Sequence, residues 1–139
     1  MIDVIDRKII DVLKLNARLS FAEIARKVAL SPSSVRERIQ KLEENEVIKS
    51  YSVEVNQPLM GNGLEVFIML KIFDGKLQKI ISEITNYPEV QKVFRITGPY
   101  NMHMQVVLKD QLHLQHFIDK LTKFGSPTTY LILSEIKND

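Results

Sequence analysis

The chain has 139 residues, 45% apolar and 26% charged, close to the globular average; this excludes a disordered polymer and leaves room for one ordinary domain or two small ones. It has no cysteine, which excludes disulfides, Cys-based zinc sites and thiol nucleophiles, and no apolar run approaches the roughly 20 residues that span a bilayer. The formal charge of +2 is too small to mark a nucleic-acid binder, but it is unevenly placed.

Residues 18–41 carry six basic side chains, Arg18, Arg26, Lys27, Arg36, Arg38 and Lys41, against two acidic ones, Glu23 and Glu37. That local net charge exceeds the charge of the whole chain, as expected where one face meets phosphate. The opening MIDVIDRKII lacks the basic flank and unbroken apolar core of a signal peptide. A cytoplasmic protein with no membrane association is expected.

Three helices are predicted in the first fifty residues. One runs from about Asp3 to Leu15, with Ile5, Ile9, Val12 and Leu13 on one stripe and Asp3 and Asp6 near its positive end. The second opens on Ser20-Phe21-Ala22-Glu23, a capping box with Leu19 and Ile24 spaced as a hydrophobic staple, and ends near Val28. The third starts at Ser31 as N-cap with Pro32 at its first position, and buries Val35, Ile39 and Leu42. Ser33, Ser34, Arg36, Glu37, Arg38, Gln40 and Lys41 are left to point outward or sideways.

Two capped helices a few residues apart, the second presenting small polar and basic groups, describe a helix-turn-helix. Small Ser33 and Ser34 allow a recognition helix to approach the major groove closely. Arg36, Glu37 and Arg38 then reach base edges or phosphates, with Glu37 suited to a cytosine amino group. Together with Arg18, Ser31 and Lys41 these form the expected contact set for double-stranded DNA. A plain three-helix bundle is the competing account, but it has no need of so short and tightly capped a middle helix.

Farther on, Tyr51–Asn56 alternates like a strand, and Pro58 and Gly61-Asn62-Gly63 break the pattern, which sets a linker over 51–62. Strands are expected over Leu64–Phe73, Val90–Thr97, Met102–Leu108 and Thr129–Ile136. Helices are marked by Leu77, Ile80, Ile81 and Ile84 and by Leu114, Phe117, Ile118 and Leu121, the latter capped by Asp110. The fold class is therefore α+β: a winged-helix-like helix-turn-helix over 1–50, then a ferredoxin-like βαββαβ domain over 63–139. Glu65, Phe67, Met69, Lys71 and Phe73 face away from the helices, and this half-apolar sheet face predicts a homodimer.

The stretches Ile5-Asp6-Arg7-Lys8-Ile9-Ile10, Ala17-Arg18-Leu19-Ser20, Glu23-Ile24-Ala25, Leu30-Ser31-Pro32, Val35-x-x-Arg38-Ile39-x-x-Leu42-Glu43 and Val47-Ile48-x-x-Tyr51 resemble the Lrp/AsnC regulators. The resemblance covers nearly the whole chain. It implies a transcriptional regulator that pairs through its second domain, assembles into octamers or larger rings, and answers to a small effector, commonly an amino acid. Ala29, Glu46 and Ser50 stand where the family usually has glycine. A left-handed conformation kept there would cost roughly 1 kcal/mol per residue.

The resemblance also implies an effector site near Thr97-Gly98-Pro99-Tyr100-Asn101, with Thr129 at the start of the last strand lining the same cleft. Gly98 would permit close backbone approach, and exposed amides of such a turn can hold a carboxylate. Asn101 replaces the family's aspartate, offering an acceptor without a charge. Gly125-Ser126-Pro127-Thr128-Thr129 reads as a shortened connection. On turn chemistry alone, Gly98–Asn101 is simply a hairpin turn.

His113 and His116 are three apart on a helix and lack a third ligand, so solvated histidines are expected rather than a metal site; His103 would line the effector cleft. No cofactor is expected. An enzyme resembling siroheme decarboxylases of the same architecture is a different-class alternative, disfavoured by few histidines and no nucleophile–base pair. A regulator that has lost effector response is the third.

Overall fold

A computed structural model describes residues 1–73, 75 and 77–137. The chain divides into two units, Met1–Glu54 and Val55–Asn138.

The first unit contains α1 (Val4–Leu15), α2 (Phe21–Val28) and α3 (Pro32–Glu44). Each start is chemically explicit. Asp3 accepts from the Asp6 amide and Asp6 reaches back to the Asp3 amide, a full capping box. Ser20 accepts from the Glu23 amide, but the Glu23 carboxylate takes the Ser20 hydroxyl rather than the backbone, so only half of the expected box forms. Ser31 caps α3 through the Ser34 amide, with Pro32 inside the first turn.

Two turns depend on left-handed residues. Ala29 has φ 57° and Glu46 φ 56°, so two of the three non-glycine positions keep a glycine-type conformation. Ala29 ends α2, with the Leu30 amide donating to Ala25 O at 3.1 Å. Glu46 ends α3 in a Schellman arrangement, where Val47 N–H reaches Leu42 O at 2.9 Å and Glu46 N–H reaches Glu43 O at 3.0 Å. The core joins Ile9, Ile24, Ala25, Val28, Val35 and Ile39, with Leu19 and Leu30 packed against it.

The second unit begins with a 3-10 turn at Gln57–Met60, then β1 (Leu64–Ile72), α4 (Leu77–Thr85), β2 (Val90–Arg95), β3 (Met102–Leu108), α5 (Gln111–Leu121) and β4 (Gly125–Leu131). The sheet is antiparallel, in the order β2-β3-β1-β4, which is the split βαβ arrangement. Period-2 alternation sends Val66, Ile68 and Leu70 of β1 and Met102, Met104 and Val106 of β3 into one core with Ile80, Ile84, Phe117 and Leu121 of the helices. Each such apolar side chain contributes about 1.5–3 kcal/mol by leaving water. Asp110 caps α5 as expected, through the His113 amide.

Three expectations are corrected. Tyr51–Asn56 forms no strand and is exposed throughout; alternation needs a neighbouring strand, and the described residues supply none. The strand expected over Val90–Thr97 stops at Arg95. The last strand spans Gly125–Leu131 rather than Thr129–Ile136.

The segment read as a loop pairs in register with β1: Gly125 opposite Ile72, Ser126 opposite Lys71 and Pro127 opposite Leu70. Its composition misleads for physical reasons. Pro127 is tolerated because β4 is an edge strand. Gly125 is required because a Cβ there would lie 2.1 Å from Lys71 O.

Candidate nucleic-acid interface and effector turn

The exposed side of α3 begins at a hydroxyl cluster. The Ser31 hydroxyl donates to Ser34 Oγ at 2.9 Å and lies 3.2 Å from Ser33 Oγ. Val35, Ile39 and Leu42 anchor the opposite side, with exposures of 0, 5 and 4%. That stripe turns Ser33, Arg36, Glu37 and Lys41 to solvent. Glu37 and Lys41 are 3.6 Å apart and both mostly exposed, a pair of small energetic weight that leaves either free to turn to another partner. Arg18 lies outside α3, after α1, exposed, with its amide held by the Asn16 side chain at 3.0 Å.

Arg38 differs from its neighbours. Its Nη1 donates to Asp3 Oδ2 at 2.7 Å and to Asp6 Oδ1 at 3.0 Å, and its side chain is only 30% exposed. The guanidinium, expected to reach base edges or phosphates, here joins α3 to the start of α1. Hydrogen bonding to Arg38 first, and to the Asp6 amide second, holds the Asp3 carboxyl below its usual range. The same Asp3 and Asp6 bonds raise Arg38.

In the second unit, Gly98 has φ 102° with nothing within 4 Å of a Cβ position, so its backbone angle rather than crowding calls for glycine. The Asn101 side-chain carbonyl accepts from the Ile72 amide at 2.7 Å, and the Asn101 amide donates to Leu70 O at 2.9 Å. Asn101 thus extends the pairing of β1, and its carbonyl already has a partner. The Tyr100 hydroxyl is 3.2 Å from Thr128 Oγ1.

Thr129 pairs with buried Ile68 and shares its helix-covered side; Thr128, opposite Met69, lies on the open side with Tyr100. The expectation for Thr129 is corrected accordingly: the strand starts four residues earlier than read, and its register selects the neighbouring threonine. Thr97 and Pro99 are exposed in the same turn. His103 stands on the open sheet face, its ring 5.1 Å from Phe67 and 6.4 Å from Phe94.

Two family models divide the sequence. An AsnC-type helix-turn-helix domain matches residues 2–43, and an Lrp/AsnC ligand binding domain matches residues 65–139. The chain belongs to the Lrp/AsnC family. It is 34% identical to the HTH-type transcriptional regulator FL11 of Pyrococcus furiosus, over 86% of this chain and 79% of that one. It is 32% identical to the regulator LrpC of Bacillus subtilis, over 97% and 94%.

The solved structure of Bacillus subtilis LrpC superposes with a TM-score of 0.95, covering 100% of this chain and 99% of that one. A transcriptional regulator of Neisseria meningitidis solved as an L-Met complex is 29% identical, covering 99% and 94%, with a TM-score of 0.93. This Lrp/AsnC chain is thus a transcriptional regulator with a DNA-binding helix-turn-helix and a ligand-binding domain. No helix among its described residues is long and apolar enough to cross a membrane.

One polar bridge of this Lrp/AsnC chain escaped sequence reasoning. His113, expected to be solvated, accepts the Lys109 amide at Nδ1 (3.0 Å), so Nε2 carries the hydrogen and donates to Glu89 Oε2 at 2.9 Å. Glu89 and His113 are 24 residues apart, and nothing in either local pattern pairs them. Burial alone would raise the Glu89 carboxyl; the His113 bond, a backbone amide and nearby Lys120 outweigh it and lower it. Arg38 was missed for a similar reason, because its partners lie more than thirty residues upstream.

Proposed function

We propose that this regulator acts in the cytoplasm, without catalytic activity, as a homodimer binding a two-fold symmetric duplex site, with α3 of each protomer in the major groove. The observation that carries the reading is the division of α3. A buried Val35-Ile39-Leu42 stripe fixes the helix, while Ser33, Arg36, Glu37 and Lys41 stand exposed on its other side. Small hydroxyls at the first turn favour close approach, and the cations supply phosphate or guanine contacts. Arg18, Ser31 and Ser34 flank this surface.

The open sheet face supports self-association. Phe67, Met69, Phe94, His103 and Tyr130 lie on the side away from α4 and α5, and Phe94 and Tyr130 are half exposed. Higher assemblies such as octamers follow the same logic, several such dimers combining.

An amino acid is the effector class we favour, at the turn of residues 97–101 with Tyr100 and Thr128. It is supported by the ligand-binding domain match and by the L-Met complex of the Neisseria relative. Exposed amides around Gly98 suit a carboxylate. The Asn101 carbonyl already accepts from the Ile72 amide and carries no charge, so the ammonium group needs a further acceptor beside it.

DNA affinity measured by fluorescence anisotropy should fall steeply with salt. Arg36→Gln and Lys41→Gln should each reduce the slope by about one, and Ser33→Trp should change sequence preference. Gly98→Val should abolish any amino-acid response with DNA binding intact. Weak, salt-insensitive binding unaffected by these changes would refute the interface, and a purified protein that binds tetrapyrrole would favour the enzyme reading.

A further inference from the structure

The contact between Asp3, Asp6 and Arg38 uses all four carboxylate oxygens. Asp3 Oδ1 accepts the Asp6 amide at 2.8 Å and Asp6 Oδ2 accepts the Asp3 amide at 3.1 Å. The two remaining oxygens, Asp3 Oδ2 and Asp6 Oδ1, converge on one nitrogen of Arg38 at 2.7 and 3.0 Å. The capping box therefore orders both carboxylates before Arg38 arrives, so little side-chain entropy remains to be lost. Asp6 is 13% exposed and Arg38 30%, so the Asp6 arm is partly shielded from the screening that weakens surface pairs, while Asp3, at 53%, stays open to solvent.

Its position matters as much as its strength. The rest of α3 is held by Val35, Ile39 and Leu42, apolar contacts that set which side faces the core but, being non-directional, define the roll less sharply than a polar bond does. A pair of charge-assisted bonds from one nitrogen is directional and sharpens it. Arg38 sits one residue after Glu37 and two after Arg36, both exposed, so fixing Arg38 fixes the direction in which those two project.

We infer that Asp3 and Asp6 are positioning residues for DNA recognition, acting through Arg38 to set the pose of α3 rather than leaving Arg38 as a phosphate contact. This rests on the reading of α3 as the recognition helix. An unbraced α3 samples several poses, and the apparent affinity for a specific site falls with the fraction in the competent one. Non-specific binding, which depends on charge and tolerates many poses, is little affected.

The test is anisotropy titration of the full chain on a selected duplex and on a scrambled duplex, across a salt series. Variants are Arg38→Gln, Asp3→Asn/Asp6→Asn, their combination, and Arg36→Gln. Asparagine is as good an N-cap as aspartate, so the Asn variants retain the helix start, and far-ultraviolet dichroism checks each fold.

The inference expects Arg38→Gln and Asp3→Asn/Asp6→Asn each to reduce the specific to non-specific affinity ratio about tenfold. The combined variant should lose no more than either, with the salt slope unchanged. If Arg38→Gln lowers the slope by about one while the Asn pair leaves or tightens binding, Arg38 is a phosphate contact and the inference is overturned. Unchanged specificity in all brace variants, with Arg36→Gln still reducing the slope, overturns it too and marks the contact as one of stability only. An Arg36→Gln variant that binds like wild type removes the recognition-helix reading itself.

Discussion

Replacing Ala29 and Glu46 by glycine should stabilise the first unit, although glycine inside a helix loosens a protein. Both residues sit in the left-handed region, at φ 57° and 56°, where a Cβ costs roughly 1–2 kcal/mol through its approach to the following carbonyl. Glycine removes that strain but gives the unfolded chain more freedom, which returns about 0.5–1 kcal/mol. The net gain is about 0.5–1 kcal/mol at each site. The turns close through backbone bonds from the Leu30, Glu46 and Val47 amides, so no side-chain contact that either substitution removes closes them.

The two turns end different helices and share no hydrogen bond in these closures, so the effects should add to about 1–2 kcal/mol. Hydrogen exchange is the suitable assay, because it reads α2 and α3 separately from the second unit. Amides of Val28, Ile39 and Leu42 should gain about 5- to 30-fold in protection in the double variant. Specific DNA affinity should not change, since the backbone conformation is kept. A loss of protection in both single variants would refute the strain argument and show that unfolded-state entropy dominates.

Other outcomes follow from the same geometry. Gly125→Ala should destabilise the second unit by about 2–4 kcal/mol in urea unfolding, because the added Cβ meets Lys71 O at 2.1 Å where β4 begins its pairing with β1; an unchanged midpoint would mean that β4 pairs in another register. Glu89 is lowered in the folded state, so its contribution is present above the ordinary carboxylate range and lost as pH falls through the depressed value. Glu89→Gln should flatten that acid limb, and an acid limb identical to wild type would assign it elsewhere. Phe67→Asp on the open sheet face should shift the sedimentation profile toward monomer, and an unaltered dimer would place the interface on another surface.

The sequence announced most of the architecture because its strongest signals are local. Ser20, Ser31 and Asp110 mark helix starts, Gly98 marks a turn, and period-2 alternation in β1 and β3 selects the buried face without any knowledge of partners. It failed where structure depends on a distant neighbour. Tyr51–Asn56 alternates like a strand yet forms none, and Gly125-Ser126-Pro127 looks like a loop yet pairs with Leu70–Ile72.

The site divides in the same way. The exposed set on α3 was legible from the spacing of Val35, Ile39 and Leu42. The engagement of Arg38 by Asp3 and Asp6 was not, and neither was that of Asn101 by Ile72 or His113 by Glu89, since each partner lies at least 24 residues away. Thr128 replaced Thr129 beside Tyr100 because strand register, invisible in composition, decides which face a threonine takes.

The most direct test of the account is selection of bound sequences from a random duplex pool with the purified chain, repeated with the twenty amino acids added. A two-fold symmetric consensus is expected, with half-sites about one helical turn or a multiple apart, whose enrichment changes with an amino acid. Recovery of no enriched sequence in either condition would contradict it.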